Sequence, residues 1–97
     1  MFLILVTYPK SLEEVDEHLV AHRAFLDEGY RKNYFIVSGP RIPRTGGIII
    51  SQLNDRAQLE NILKNDPFQI HGVANYEIIE FTALKYHQDF AEFVKSS

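Results

Sequence analysis

Two segments of this chain are apolar at successive positions instead of alternating: Phe2 to Val6, reading FLILV, and Gly47 to Ile50, reading GIII. Strands of that kind ask for cover on both faces of their sheet. A chain of 97 residues has few other elements with which to supply it. Phe2 to Tyr8 reads as a first strand closed by Pro9, after which Ser11 and Glu14 make a capping box for a helix starting near Leu12. Leu12, Val15, Leu19, His22 and Leu26 then follow one helical face, and the helix is expected to stop near Gly29. Tyr34 to Ser38 is a second strand ended by Gly39-Pro40, and the loop RIPRTGG joins it as a hairpin to a third, Ile48 to Leu53. Asn54 or Asp55 caps a second helix carrying Ala57, Leu59, Ile62 and Leu63, with Asp66-Pro67 stopping it and opening a new turn. Ala74 to Phe81 forms a fourth strand.

The order strand, helix, strand, strand, helix, strand predicts an α+β fold of ferredoxin-like βαββαβ type, with a four-stranded antiparallel sheet and the first and third strands central. Both helices then cover one face. Each large apolar side chain left on the other face forgoes about 1.5–3 kcal/mol of burial. A homodimer formed through the sheet faces removes that penalty. The tail carries Tyr86, Phe90 and Phe93 at helical spacing, which predicts a short C-terminal helix with too few aromatic rings to cover a whole sheet. No linker divides the chain, so a single domain is expected over residues 1–97, its core within 1–83 and its tail over 84–97.

Composition narrows the function classes. With no cysteine, the chain has no disulfide, no thiolate nucleophile and no cysteine-based zinc site. The formal charge is −3 and the ten basic residues are scattered, which argues against a nucleic-acid partner. The N-terminal apolar run is short, lacks a preceding basic residue and lacks a small-residue cleavage site, so it reads as a strand and not as a signal or a membrane span; a cytoplasmic protein is expected.

Among residues able to do chemistry, His22 stands where a plain amphipathic helix would carry leucine. An imidazole there needs a hydrogen-bond partner, which makes it either a structural core histidine or a general base set by an acidic neighbour. Asp66 is the neighbour of the right type, and one carboxylate can cap the turn before Pro67 while facing an imidazole. His18 and His22 have i, i+4 spacing but lack a third ligand and the zinc-protease glutamate, so no metal is expected. His71 and His87 read as surface residues, His71 lying close enough in sequence to Asp66 to affect it. Ser38 lacks the flanking glycines of a nucleophile elbow, and the Gly46-Gly47 pair precedes a strand and so is no phosphate loop. Arg41 and Arg44 are either anion contacts or solvated loop charges.

Taken in order, AHRAFLDEG, SGP, GG before a strand, NDPF with a glycine four residues beyond the phenylalanine, and the closing EIIEF resemble the YciI-like (YCII-related) family over nearly the whole chain to about Phe81. The resemblance implies the dimeric α+β barrel and a site centred on a histidine and an aspartate, which fall on His22 and Asp66. Its alanine-glycine-proline segment falls on Ser38, Gly39 and Pro40, which would line the same cleft and bind substrate. The best-defined activity in the family, dehydrochlorination of a chlorinated hydroxyquinol, needs a base but no metal or organic cofactor. The expectation is therefore a small cofactor-independent lyase, isomerase or dehydrochlorinase-like enzyme acting on a small cyclic or aromatic, anionic compound. The competing expectation is a non-catalytic dimeric small-molecule-binding or accessory protein. A degradative monooxygenase on the same architecture ranks last, resting on fold analogy alone. His71 before Gly72 and the tail beyond Phe81 depart from the family pattern.

Overall fold

The computed structural model describes residues 1–95; the last two residues of the expected tail lie outside the described part. The elements are β1 (Phe2–Thr7), α1 (Leu12–Asp16), α2 (Leu19–Arg31), β2 (Phe35–Pro40), β3 (Gly46–Ser51), α3 (Arg56–Leu63), α4 (Pro67–Ile70), β4 (Asn75–Glu80) and α5 (Ala91–Lys95), the last preceded by a 3-10 turn, Gln88–Phe90. All strand pairs are antiparallel, in the order β2-β3-β1-β4. The two apolar strands are thus the inner ones, and the fold is the ferredoxin-like α+β arrangement with a short C-terminal helix. No helix among the described residues is long and apolar enough to cross a membrane.

Register explains which side chains go where. Ile4 pairs with Ile49 and Ile78, and Phe2 with Ser51, so Phe2, Ile4, Val6 and Ile49 point to the helices. There they meet Val15, Leu59, Leu63 and Phe68, all buried. Leu3 pairs with Ile50 and Ile79, and Ile50 with Val37, so these aliphatic side chains share the opposite face with Leu5 and Ile48. Val37 remains 51% exposed and Ile79 38%. This face of the sheet therefore keeps exposed aliphatic surface at Val37, Ile48 and Ile79.

Two local features differ from the sequence expectation. The first helix is broken at Glu17–His18: His18, with φ −112° and ψ 7°, caps α2, and its N–H reaches back to Val15 at 3.0 Å. Hydrophobic spacing runs from Val15 to Leu19 without interruption, so periodicity carries no sign of the break. The second concerns Gly29: α2 ends near it, at Arg31, but the left-handed residue beyond the helix is Asn33, at φ 61°, and not the glycine. Gly29 is needed for another reason. A Cβ there would lie 2.2 Å from the Phe35 ring, so its hydrogen lets that ring close over the helix.

A β-bulge interrupts β2. Phe35 pairs with Ser51 and Val37 with Ile50, leaving Ile36 as the extra residue. Beyond it Ser38 pairs with Ile49, on the helix-covered face. In a regular strand Phe35 and Ser38, three apart, would point to opposite faces. The bulge puts both under the helices.

Glycine substitutions test this packing. A Cβ at Gly46 would meet the Val6 carbonyl oxygen at 1.7 Å, whereas nothing lies within 4 Å of one at Gly39. Gly46→Ala is expected to lose about 3 kcal/mol or more and Gly29→Ala about 1–3 kcal/mol, the Phe35 ring being freer to move than a strand backbone. Gly39→Ala is expected to change stability little. Urea unfolding of the three variants checks the ranking.

Candidate functional site

Asp66 is the N-cap of α4, and its side chain has no exposed surface. Asp-Pro at this place is a natural helix start: the carboxylate accepts the Phe68 N–H at 3.0 Å, and Pro67, with no N–H to leave unpaired, takes the first helical position. The same carboxylate has two further partners. His22 Nδ1 lies 2.8 Å from Oδ1 and 3.0 Å from Oδ2, and the Tyr76 hydroxyl donates to Oδ2 in a short hydrogen bond. Among the described residues no buried side-chain nitrogen or oxygen is left without a partner. A buried carboxylate requires such a set of donors, since an unpaired one would cost several kcal/mol.

Each partner comes from a different element. His22 is on α2, one turn past the cap, and its ring lies parallel to that of Phe68 at 3.8 Å between centroids. That contact and the Asp66 bond hold the ring plane from two directions. Tyr76 is on β4, paired with Val6 and so directed under the helices. Burial, together with the Asp66 charge beside it, holds the Tyr76 hydroxyl well above the ordinary tyrosine range, so it stays protonated and donates.

An accepting carboxylate at Nδ1 places the proton of a neutral imidazole on that nitrogen, leaving Nε2 with its lone pair. His22 is 12% exposed and lines a cleft of about 750 Å³, while Asp66 does not reach it. The cleft is of ligand size. Ser38, Gly39 and Pro40 line it too, with Tyr8, Tyr30, Leu26 and Arg44. Ser38 is hydrogen-bonded to the Tyr30 hydroxyl across from α2.

Thus the two residues singled out as an acid-base pair meet across 44 positions, and the three assigned to substrate line the cavity beside them. Of the two loop arginines, Arg44 lines the cleft and pairs with Asp16 at 2.6 Å, whereas Arg41 is exposed and outside it. His71 does not bond Asp66; its ring stacks on that of His18 at 3.9 Å. Among the described residues no group of three or more His, Cys, Asp or Glu side chains is arranged to hold a metal ion. Tyr76, Tyr30 and Phe68 escaped the sequence reading as site residues. Tyr76 did carry a signal: a tyrosine in register with the inward residues of a strand must find a partner for its hydroxyl.

Removing parts of this network has graded costs. Asp66→Ala leaves the Phe68 N–H, the Tyr76 hydroxyl and His22 Nδ1 unpaired and is expected to cost about 3–5 kcal/mol; Tyr76→Phe, losing one bond to a charged group, is expected to cost about 1.5–3 kcal/mol. Because the folded-state pKa of Tyr76 is raised, its contribution is complete below the unfolded value near 10.0 and is lost as pH rises beyond it. Wild-type stability should therefore fall more steeply than that of Tyr76→Phe above that pH. Chemical denaturation across an alkaline series measures the difference.

The sequence profile of the YCII-related domain matches residues 1–82. No curated protein sequence gives a significant match. Among solved structures the chain is similar to 5-chloro-2-hydroxyhydroquinone dehydrochlorinase (TftG) of Burkholderia phenoliruptrix in complex with 2,5-dihydroxybenzoquinone, with a TM-score of 0.70 and 21% identity over 92% of this chain and 98% of that one. At that identity the likeness speaks for the fold.

Proposed function

The chain belongs to the YCII-related domain family, and on that premise we propose that it is a small enzyme in which His22 acts as general base on a small cyclic or aromatic, acidic compound. One observation carries the reading: His22 Nδ1 is held by a fully buried carboxylate while the ring borders a ligand-sized cleft. In this scheme Nε2 takes a proton from the bound ring, and Asp66 stabilises the positive charge that the imidazole acquires. The electron pair of the broken bond moves into the ring. In an elimination it expels a leaving group from the ring; in an isomerisation the same proton returns to a different atom. Each version uses only electrons of the substrate, so the scheme calls for no cofactor. Ser38, fixed by Tyr30, and the backbone of Gly39 and Pro40 bind the substrate in this scheme. The fold shared with a dehydrochlorinase supports an elimination among these outcomes.

We also propose that the protein is a homodimer joined through the open sheet face. Leu3, Leu5, Val37, Ile48, Ile50 and Ile79 lie together there. Ile79→Lys is then expected to convert the dimer to a monomer, read by analytical ultracentrifugation; a wild-type monomer contradicts the proposal.

Catalysis is tested with 5-chloro-2-hydroxyhydroquinone and related hydroxyquinols, following chloride release and ring spectra. His22→Gln is expected to lower kcat by about 10²–10⁴-fold with the fold retained, and Asp66→Asn to lower it in the same direction. Absence of turnover on the whole panel, with both variants unfolding, would instead identify the pair as a structural bridge and the cleft as a binding site of the accessory class.

A further inference from the structure

Arg44 and Asp16 reach the cleft from opposite sides, the first from the β2–β3 hairpin loop and the second from the end of α1. Their bond runs from Arg44 Nη2 to one carboxylate oxygen at 2.6 Å, and both side chains are partly exposed. A solvent-screened ion pair of that kind adds little to stability, so exchanging one partner for another is easy. A guanidinium has five N–H donors in a planar fork suited to two acceptors at once. The bond to Asp16 engages one corner of it.

The surroundings suit an incoming acidic oxygen. The Tyr8 hydroxyl lies beside the Arg44 guanidinium, and burial raises its pKa against the opposing pull of Arg44, so it too is a donor. The Tyr8 ring stands edge-on to Phe68 at 5.9 Å, and Phe68 is the ring on which His22 stacks. A second cation, Arg23, lines the cleft near enough to Asp16 to favour its charged form, and Asp27 is the remaining acidic residue of the lining. The lining thus carries two arginines and two aspartates, whose formal charges balance. An anion takes the place of Asp16 at Arg44 as the Asp16 carboxylate, half exposed, turns out to solvent, where its charge is screened.

We infer that Arg44 with Tyr8 forms an anion subsite of this cleft, and that Asp16 is its built-in occupant, displaced by the acidic oxygen of a bound ring compound. The inference rests on the reading of the cleft as a site for acidic cyclic ligands and adds the residue that orients them. Held at Arg44 and Tyr8 by one ionised oxygen, a flat ring presents another edge to His22. Specificity then follows: acidic hydroxyquinones and ring carboxylates bind, and their neutral counterparts do not compete with Asp16.

The discriminating property is sign. A mere tether between hairpin and helix weakens whichever end is removed, whereas a displaced occupant and its host respond oppositely. Binding of 2,5-dihydroxybenzoquinone, whose hydroxyls are vinylogous acids and ionised at neutral pH, is measured by calorimetry on the full chain. Asp16→Asn is expected to tighten binding several-fold, and Arg44→Gln to weaken it by about tenfold to a hundredfold. The double variant should bind as weakly as Arg44→Gln. Arg44→Lys, which keeps the charge and the tether, serves if the glutamine variant melts early and is expected to bind with intermediate affinity. Changes of the same sign in Asp16→Asn and Arg44→Gln, or no change in either, overturn the subsite while leaving the base assignment of His22 intact. Failure of every folded protein to bind, wild type included, overturns the reading of the cleft as a site for acidic rings and the subsite with it.

Discussion

A carboxylate with no access to water organises this molecule. Asp66 must be satisfied entirely from within, and its donors come from three places: the Phe68 N–H at the start of α4, the Tyr76 hydroxyl on β4 and the His22 ring on α2. Removing a carboxylate from water is costly enough that such a group persists only when its partners are held in place. Each partner is in turn held by packing. Tyr76 is aligned by the pairing of β4 with β1, and His22 is pressed against Phe68. The capping of a four-residue helix, the closure of a helix onto a sheet and the tautomer of an imidazole are therefore one arrangement.

The cleft is the complement of that arrangement. Where Asp66 fills the space under α2 from behind, the front is left to short or flat groups: Ser38, Gly39, Pro40 and Gly47 on the strands and Leu26 and Tyr30 on the helix. The bulge at Ile36 is what turns Ser38 into this space, and Gly29 is what lets Phe35 pack beneath it. The ionic groups of the cleft are partly exposed, where partners exchange at little cost, while Asp66, the one fully buried charge among the described residues, stands behind the imidazole. That division suits a site that must admit a polar ligand and keep its base in a fixed orientation.

Much of this was legible in the sequence because it rests on local rules. The order strand, helix, strand, strand, helix, strand put the first and third strands at the centre, as they are in the observed order β2-β3-β1-β4, and their continuous apolar runs called for cover on both faces. His22 on a leucine stripe needed a partner, and Asp66 before Pro67 was a cap with capacity to spare; both helices lying on one face made their meeting possible. Gly29 marked the neighbourhood of the helix end, two residues before Arg31, but not its packing role against Phe35, since the same residue type ends helices and admits close neighbours. The break at His18 left the hydrophobic spacing intact and was invisible. Arg44 and Arg41 were indistinguishable as loop charges until the hairpin aimed one inward.

The sequence by itself determined the fold class, the core-facing place of His22 and the capping place of Asp66, and the excess of apolar sheet surface, because periodicity, capping and burial act within a few residues along the chain. Only the tertiary structure decided that His22 and Asp66 lie within 2.8 Å, that Tyr76 completes their set, and that Ser38 faces the helices. These depend on strand register and on a single inserted residue in one strand. Shifting a strand by one position reverses every side chain beyond it, and no local preference of the residues concerned records which way that choice falls.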